Sequence, residues 1–536
     1  MSIPRFVRSR LPRPTTRFVA IAALATASLV LSGCVAGATG AGAERPDQTT
    51  DTVVFGTYSD ITSLDKQAVS GRPARFILSN AYDSLVNRDT QGKLVPHILT
   101  KWTYDSPTHT WTLTARDDID FSDGEHLTAE DIKASLDRIS APGTKATLGK
   151  WWDIKSTTVT GKYTVQVVTN KPNPLAMIRG DDTTIMPKSW VDKIGDVPYT
   201  GTTPPPGVGA YILTQWKQDD EIVFKANPNY FLGKPKIKNL IFRVIPDPSA
   251  RVAALLAGDV DSIYPVSPDE QAAIDANPDV TVDQAQSTNR ARLIIDSRVA
   301  PWSDPKVREA VNLAIDRQSI IKSLLPGAVE IAGSLIPQER GFDPDLKPYP
   351  YDPDKAKKLL AEAGYPNGIG PVELSVDTEQ LRNGGEAQAV ADQLAKVGIK
   401  VNVKEYDPGD FDTKKINDNP PLSDLGPLLF DGHSGGQTFD GSFFYTYLRS
   451  CEEPPDPEFL YYCNSDAKAT YEQSIELAAS DPDKSTALLQ QVEKDLYDDY
   501  WDVPLWQEPD LYGDAKNLDW KPDLSGQTLG FLASWK

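Results

Sequence analysis

Residues 432–436 read Gly-His-Ser-Gly-Gly, which sets Gly432, Ser434 and Gly436 in the G-x-S-x-G order of a hydrolase nucleophile elbow. A serine used this way needs a base, and in the α/β-hydrolase order the histidine follows it. The chain has four histidines, His97, His109, His126 and His433, and none lies beyond Ser434. His433 is the serine's own neighbour and is badly placed to serve it. An elbow serine also opens a helix, whereas Gln437 to Gly441 reads as loop, and no HGGG-type oxyanion segment is present. A histidine-first triad is formally legal, but His109 and His126 stand beside a strand pattern and a turn, where surface or packing roles suit them better. The glycines are expected to shape a loop, and the chain is not expected to be an enzyme.

Two other stretches imitate chemistry. Asp117 to Gly124, with Glu130 beyond, is rich in acids like a calcium loop. Aligned on Gly124 and Glu130, it puts Ile119 and Phe121 where oxygen ligands belong, so the acids are expected to face solvent. Gly207-Val208-Gly209 opens like a dinucleotide fingerprint, but Ile212 occupies the third glycine position. No metal and no cofactor is expected.

The elements that must position any site alternate between strand and helix patterns, which points to an α/β architecture. Val53-Val54-Phe55, Trp111 to Leu113, Val165 to Val168, Leu240 to Ile245 and Val372 to Val376 read as strands. Thr128 to Asp131 reads as a capping box ahead of Ile132, Leu136 and Ile139. Asp304-Pro305 and Asp352-Pro353 each pair an N-cap with a first-turn proline. Behind them run apolar stripes, Val307, Ala310, Val311, Ala314 and Ile315 in one helix, Ala356, Leu359, Leu360 and Ala363 in the other. Gly364 is suited to a left-handed stop. The 536 residues leave room for about three to four domain-sized units and a cleft between them.

The first residues read as an address. Arg5, Arg8, Arg10, Arg13 and Arg17 precede an apolar run, Phe18 to Leu31, that is short for a membrane span. The run ends in Leu31-Ser32-Gly33-Cys34, which resembles a lipobox, the cleavage signal of bacterial lipoproteins. That resemblance implies a signal peptide over 1–33, an acylated (palmitate-bearing) Cys34, a flexible tether over 34–50, and a chain held to the outer face of the cell membrane. A plain secretory signal is the simpler alternative. Loss of the five leader arginines takes the formal charge from −20 to −25. So acidic a chain is a poor partner for nucleic acid or anionic lipid. Cys451 and Cys463 are the two remaining cysteines; in an exported protein such a pair reads as a disulfide, and no histidine lies near enough to suggest zinc.

Four segments together carry a family resemblance. They are Trp102 to Leu136, with its Phe121-Ser122-Asp123-Gly124 turn; Gly207 to Tyr211 with Asn227 to Tyr230, Gly233 to Lys236 and Arg251 to Asp261; Asp304 to Arg317; and Asp352 to Pro366. In this order they resemble the extracytoplasmic solute-binding proteins of peptide-type ABC importers (oligopeptide, dipeptide and nickel), family 5. The resemblance implies a two-lobed, type II flytrap fold like that of periplasmic binding proteins. Lobe one would span 51–285 with an extra subdomain, lobe two 286–500, and 501–536 would return to lobe one. The hinge is expected near Gln284 to Arg290 and near Tyr500 to Pro504. It further implies a monomer that captures a short peptide between the lobes and hands it to ABC permease transmembrane subunits. A nickel chelate, an opine, an amino-acid-like compound or an oligosaccharide is the alternative cargo, and a sensory role the alternative use.

In such proteins a glycine-containing loop of lobe two carries an aromatic residue and then an aspartate that receives the ligand's amine. Leu428 to Phe444 is the corresponding region, and it departs from that pattern. With Phe430 as the aromatic, His433 falls where the acid is expected; anchored on Phe443, Gly436 does. Asp431 and Asp440 are the carboxylates at hand, and either could also cap its own turn. Ser70-Gly71-Arg72-Pro73 resembles the segment whose main chain pairs with ligand; Gly71 permits close approach, and Arg72 could meet a carboxylate or be merely exposed. Tyr58, Tyr211 and Trp506 could line the cleft or pack in the core.

Overall fold

The structure is a computed structural model that describes residues 50–69, 72–89, 92–144, 146–285, 287–297, 300–377, 385–407, 428–435, 439–448, 451, 462–522 and 529–536. Cys34 and the leader lie outside these residues. Two large mixed sheets dominate. The first has seven strands, in the order Val280–Ala285, Asp510–Ala515, Ser262–Tyr264, Thr52–Thr57, Asn239–Val244, Glu221–Ala226 and Tyr211–Lys217. The second has six, in the order Val329–Glu330, Asp502–Gln507, Asn289–Ile295, Leu428–Gly435, Ile369–Asp377 and Ile399–Tyr406. A four-stranded antiparallel sheet, Leu99–Asp105, Thr110–Ala115, Thr164–Thr169 and Ile154–Gly161, is inserted in the chain between strands of the first.

Each sheet has its own core. Val53 and Phe55 alternate with more exposed neighbours and meet Phe224, Leu240 and Phe242 in the seven-stranded sheet. Leu293, Leu374, Val376 and Val503 pack in the second. Leu113, Val165 and Val167 pack under the helix Ala129–Ser140 in the third. The helix signals act locally, as expected. Asp304 accepts from the Lys306 amide (2.9 Å) and Asp352 from the Lys355 amide (2.9 Å). The backbone amide of Thr128 donates to Asp131 (2.8 Å), closing the capping box. Val307, Ala310 and Val311 then face the second core along with Ala356 and Leu360. Gly364 takes φ +94° and ends its helix.

The chain passes between the two large sheets twice. It leaves the first sheet at Ala285 and enters the second at Asn289; it leaves the second at Gln507 and re-enters the first at Asp510. Tyr500 to Pro504, expected at a crossing, instead runs into the second sheet, where Val503 and Pro504 pair with Leu293 and Arg292. The strand is longer than its sequence suggests because Trp506 and Gln507 continue the pairing with Ala291 and Arg290.

Candidate functional site

Thr52–Thr57 lies parallel to both of its neighbours, Asn239–Val244 and Ser262–Tyr264. Open α/β sheets form crevices at the carboxyl ends of such strands. One opens here: Gly56, Thr57, Tyr58, Tyr264, Tyr512 and Pro73 help line a small, partly open crevice with about 20 Å³ of room for water-sized occupants. Tyr58 stands edge-on to Tyr264 (6.3 Å between ring centres), which stacks on Tyr512 (4.7 Å). Flat aromatic walls suit a ligand whose backbone is recognised by hydrogen bonds and whose side chains vary.

The cavity adjoins both crossings. The Tyr264 hydroxyl donates to Asp510 Oδ1 (2.9 Å), and the Asn289 side-chain amide donates to the same oxygen (3.0 Å). Asp510 is buried at the start of one crossing's return, Asn289 at the end of the other. The Gln507 side-chain amide donates to the Ser287 carbonyl (2.6 Å), and the Glu508 amide to the Asn289 carbonyl (3.1 Å). The two connections are therefore bonded side by side.

Asp440 caps a short helix, Gly441–Phe444, through the Ser442 amide (2.9 Å). Both its oxygens also accept from Arg340, at 2.7 and 2.9 Å. The guanidinium thus supplies the counter-charge that a ligand amine was expected to give. Beneath the helix, Phe444 lies 4.5 Å from the guanidinium of Arg290 and 4.5 Å from that of Arg292. Arg290 pairs with Glu339 (2.5 and 2.8 Å), and Arg292 lies 3.7 Å from Asp502. Burial raises the Asp502 carboxyl to about 6, against the pull of Arg292. Burial also raises the neighbouring Glu493 to about 8, opposed by the Leu335 amide that it accepts from.

Of the expected ligand residues, Tyr58 lines the cavity. Tyr211 does not: it is 1% exposed in the first core, and its hydroxyl donates to the carbonyls of Ile237 and Gly530. Trp506 is fully buried in the second core and donates to Glu508 (2.8 Å). Phe430 is buried in that core too. The strand Leu428–Gly435 pairs Asp431 with Arg292 and Ser434 with Arg290 in register, so Ser434 sits within a strand and not at a helix start. The side chains of Asp431, His433 and Ser434 lie outside the described residues, as does that of Arg72, which begins the helix Arg72–Leu78. Gly71 and Gly436 lie outside them altogether. Cys451 and Cys463 are bonded, with Cα atoms 5.0 Å apart. Tyr264, Tyr512, Asn289 and Asp510 were not singled out from sequence. A tyrosine that lines a crevice and one that fills a core carry the same pattern. Among the described residues no helix is long and apolar enough to cross a membrane.

The sequence pattern of the bacterial extracellular solute-binding proteins, family 5, matches residues 93–456. The chain belongs to this family. Family 5 proteins are the extracytoplasmic solute-binding components of ABC importers. The glutathione-binding protein GsiB of Salmonella paratyphi A is 26% identical over 475 residues, which span 87% of this chain and 91% of that protein. The periplasmic binding protein DppA of Helicobacter pylori, solved in complex with peptide STSA, matches with TM-score 0.76 at 22% identity, over 90% of this chain and 98% of that one. AgaA from A.tumefacien R10, solved with agropinic acid, matches with TM-score 0.75 at 23% identity, over 90% and 99%. These likenesses show the two-lobed periplasmic-binding-protein fold.

Proposed function

We propose that this family 5 protein is a non-enzymatic, lipid-anchored monomer that captures short peptides between two lobes and delivers them to an ABC permease. Lobe one would comprise the seven-stranded sheet with the inserted four-stranded one, and lobe two the six-stranded sheet. The observation that carries the reading is the aromatic cavity beside paired crossings: a crevice next to the only connections that the two sheets share among the described residues is where closure would enclose a ligand. The peptide in the DppA complex and the name of GsiB support the cargo. An extended peptide suits the site because its row of N–H and C=O groups can be satisfied without reading side chains.

A second reading keeps the fold and changes the cargo to an acidic opine. Arg340 already matches both Asp440 oxygens, so that carboxylate is a poor receiver for a free amine, and AgaA was solved with agropinic acid. Titration calorimetry with di- to pentapeptide mixtures and with opines separates the two. Peptide heat and no opine heat supports the first reading; the reverse pattern replaces it. Mass spectrometry of membrane-derived protein should show Cys34 acylated, and added peptides should be recovered uncleaved.

A further inference from the structure

The segment 439–444, anchored in lobe two through Arg340, lays two aromatic rings on lobe one. Phe443 lies 5.3 Å from the Trp151 ring and 5.5 Å from the Arg179 guanidinium. Phe439 lies 5.1 Å from the Arg88 guanidinium. The receiving groups are held in place. Arg88 donates from Nε to Asp181 (2.6 Å), and from its other nitrogens to the carbonyls of Gly92 and Ile178 (2.7 Å each). Arg179 donates to Asp182 (2.9 Å), and the Trp151 indole to the Ala176 carbonyl (3.1 Å).

The reaching segment is held as firmly. Phe439 takes φ +53°, a conformation that a bulky aromatic residue rarely adopts. Its carbonyl accepts from the Arg340 amide (3.1 Å), while the Arg340 guanidinium grips the next residue, Asp440. Gly92, at φ +79°, gives the ring its room: a Cβ there would lie 2.9 Å from it. Strained backbone and a matching glycine on the opposite face mark a contact that the fold is built to make.

We propose that Phe439 and Phe443 are a latch for the closed cleft, with Arg88, Arg179 and Trp151 as its seat and Asp181 and Asp182 as the residues that aim it. This rests on the lobe closure proposed above, but not on peptides being the cargo. The ring–guanidinium contacts are made by protein alone and are lost when the lobes part. They weight the equilibrium toward the closed form whatever the ligand. Aromatic pairing and cation–π contact together are worth on the order of a five- to seventyfold change in the closed-to-open ratio.

The test attaches spin labels to Lys101→Cys in the four-stranded sheet and Lys357→Cys in lobe two, in the otherwise complete chain carrying Cys34→Ser. Distance distributions are read by pulsed electron resonance, without ligand and with a di- to pentapeptide mixture. Phe443→Ala, and independently Gly92→Ala from the opposite face, should move population to the open distances by about that factor; Phe443→Tyr should not. Distributions in Phe443→Ala and Gly92→Ala identical to the parent's, in both conditions, overturn the latch. A parent whose distribution ignores peptides counts against the peptide reading, while the ligand-free comparison still reads the latch.

Discussion

Glu493 is 2% exposed, accepts from the Leu335 amide and lies near Arg290 and Asp502. Burial lifts its carboxyl from 4.5 to about 8, so across that window the folded chain keeps a proton that the unfolded chain releases. The stability contributed by that proton is complete below about pH 4.5 and is lost as pH rises through 8. Asp502 adds a loss of the same sign, from 3.8 to about 6. Glu493→Gln keeps the shape and removes the titration. Urea unfolding from pH 5 to 9 should therefore give the variant a flatter profile. It should match the parent at pH 5 and exceed it at pH 9 by a few kcal/mol, on the order set by 1.36 kcal/mol per pKa unit. Such residues are hard to read from sequence: the pattern marks an acid on a helix, and only folding shows that it is buried. Asp440 is similar, since its guanidinium partner stands 100 residues away.

Elements were far more legible. The caps at Thr128, Asp304 and Asp352 act within three residues of themselves, so their chemistry is written locally. The strands around Val53, Trp111, Val165, Leu240 and Val372 appear where alternation and β-branched runs put them. The end of lobe two was less legible, because Trp506 and Gln507 carry no mark that distinguishes a continuing strand from a crossing. The disulfide bears on an element as well. It ties Cys451, just after the described residues 439–448, to Cys463, just before the helix Ser465–Leu477. Its short loop contributes about 3 kcal/mol in the chain-entropy account. Denaturant unfolding of the Cys451→Ser, Cys463→Ser protein should show a loss of that order, and an unchanged midpoint would reassign the pair to a passive role.

At the scale of the molecule, the alternation of elements foretold an α/β architecture and the family resemblance implied two lobes, while contacts between them were out of reach. Trp151 and Phe443 meet across most of the chain, and nothing local to either announces the other. Closure on ligand should lower the radius of gyration in small-angle scattering, and an unchanged radius with bound ligand would count against a moving cleft. The way the crossings are joined bears on the motion that the proposed closure would take. One carboxylate, Asp510, ties Tyr264 of the first sheet to Asn289 of the second, with Gln507 bonded to Ser287 alongside. A joint pinned like that can swing but not slide. Every cargo must fit the same arc, and one too bulky near the pivot would leave the far rims ajar, so girth close to the axis should limit what can be carried more strictly than length.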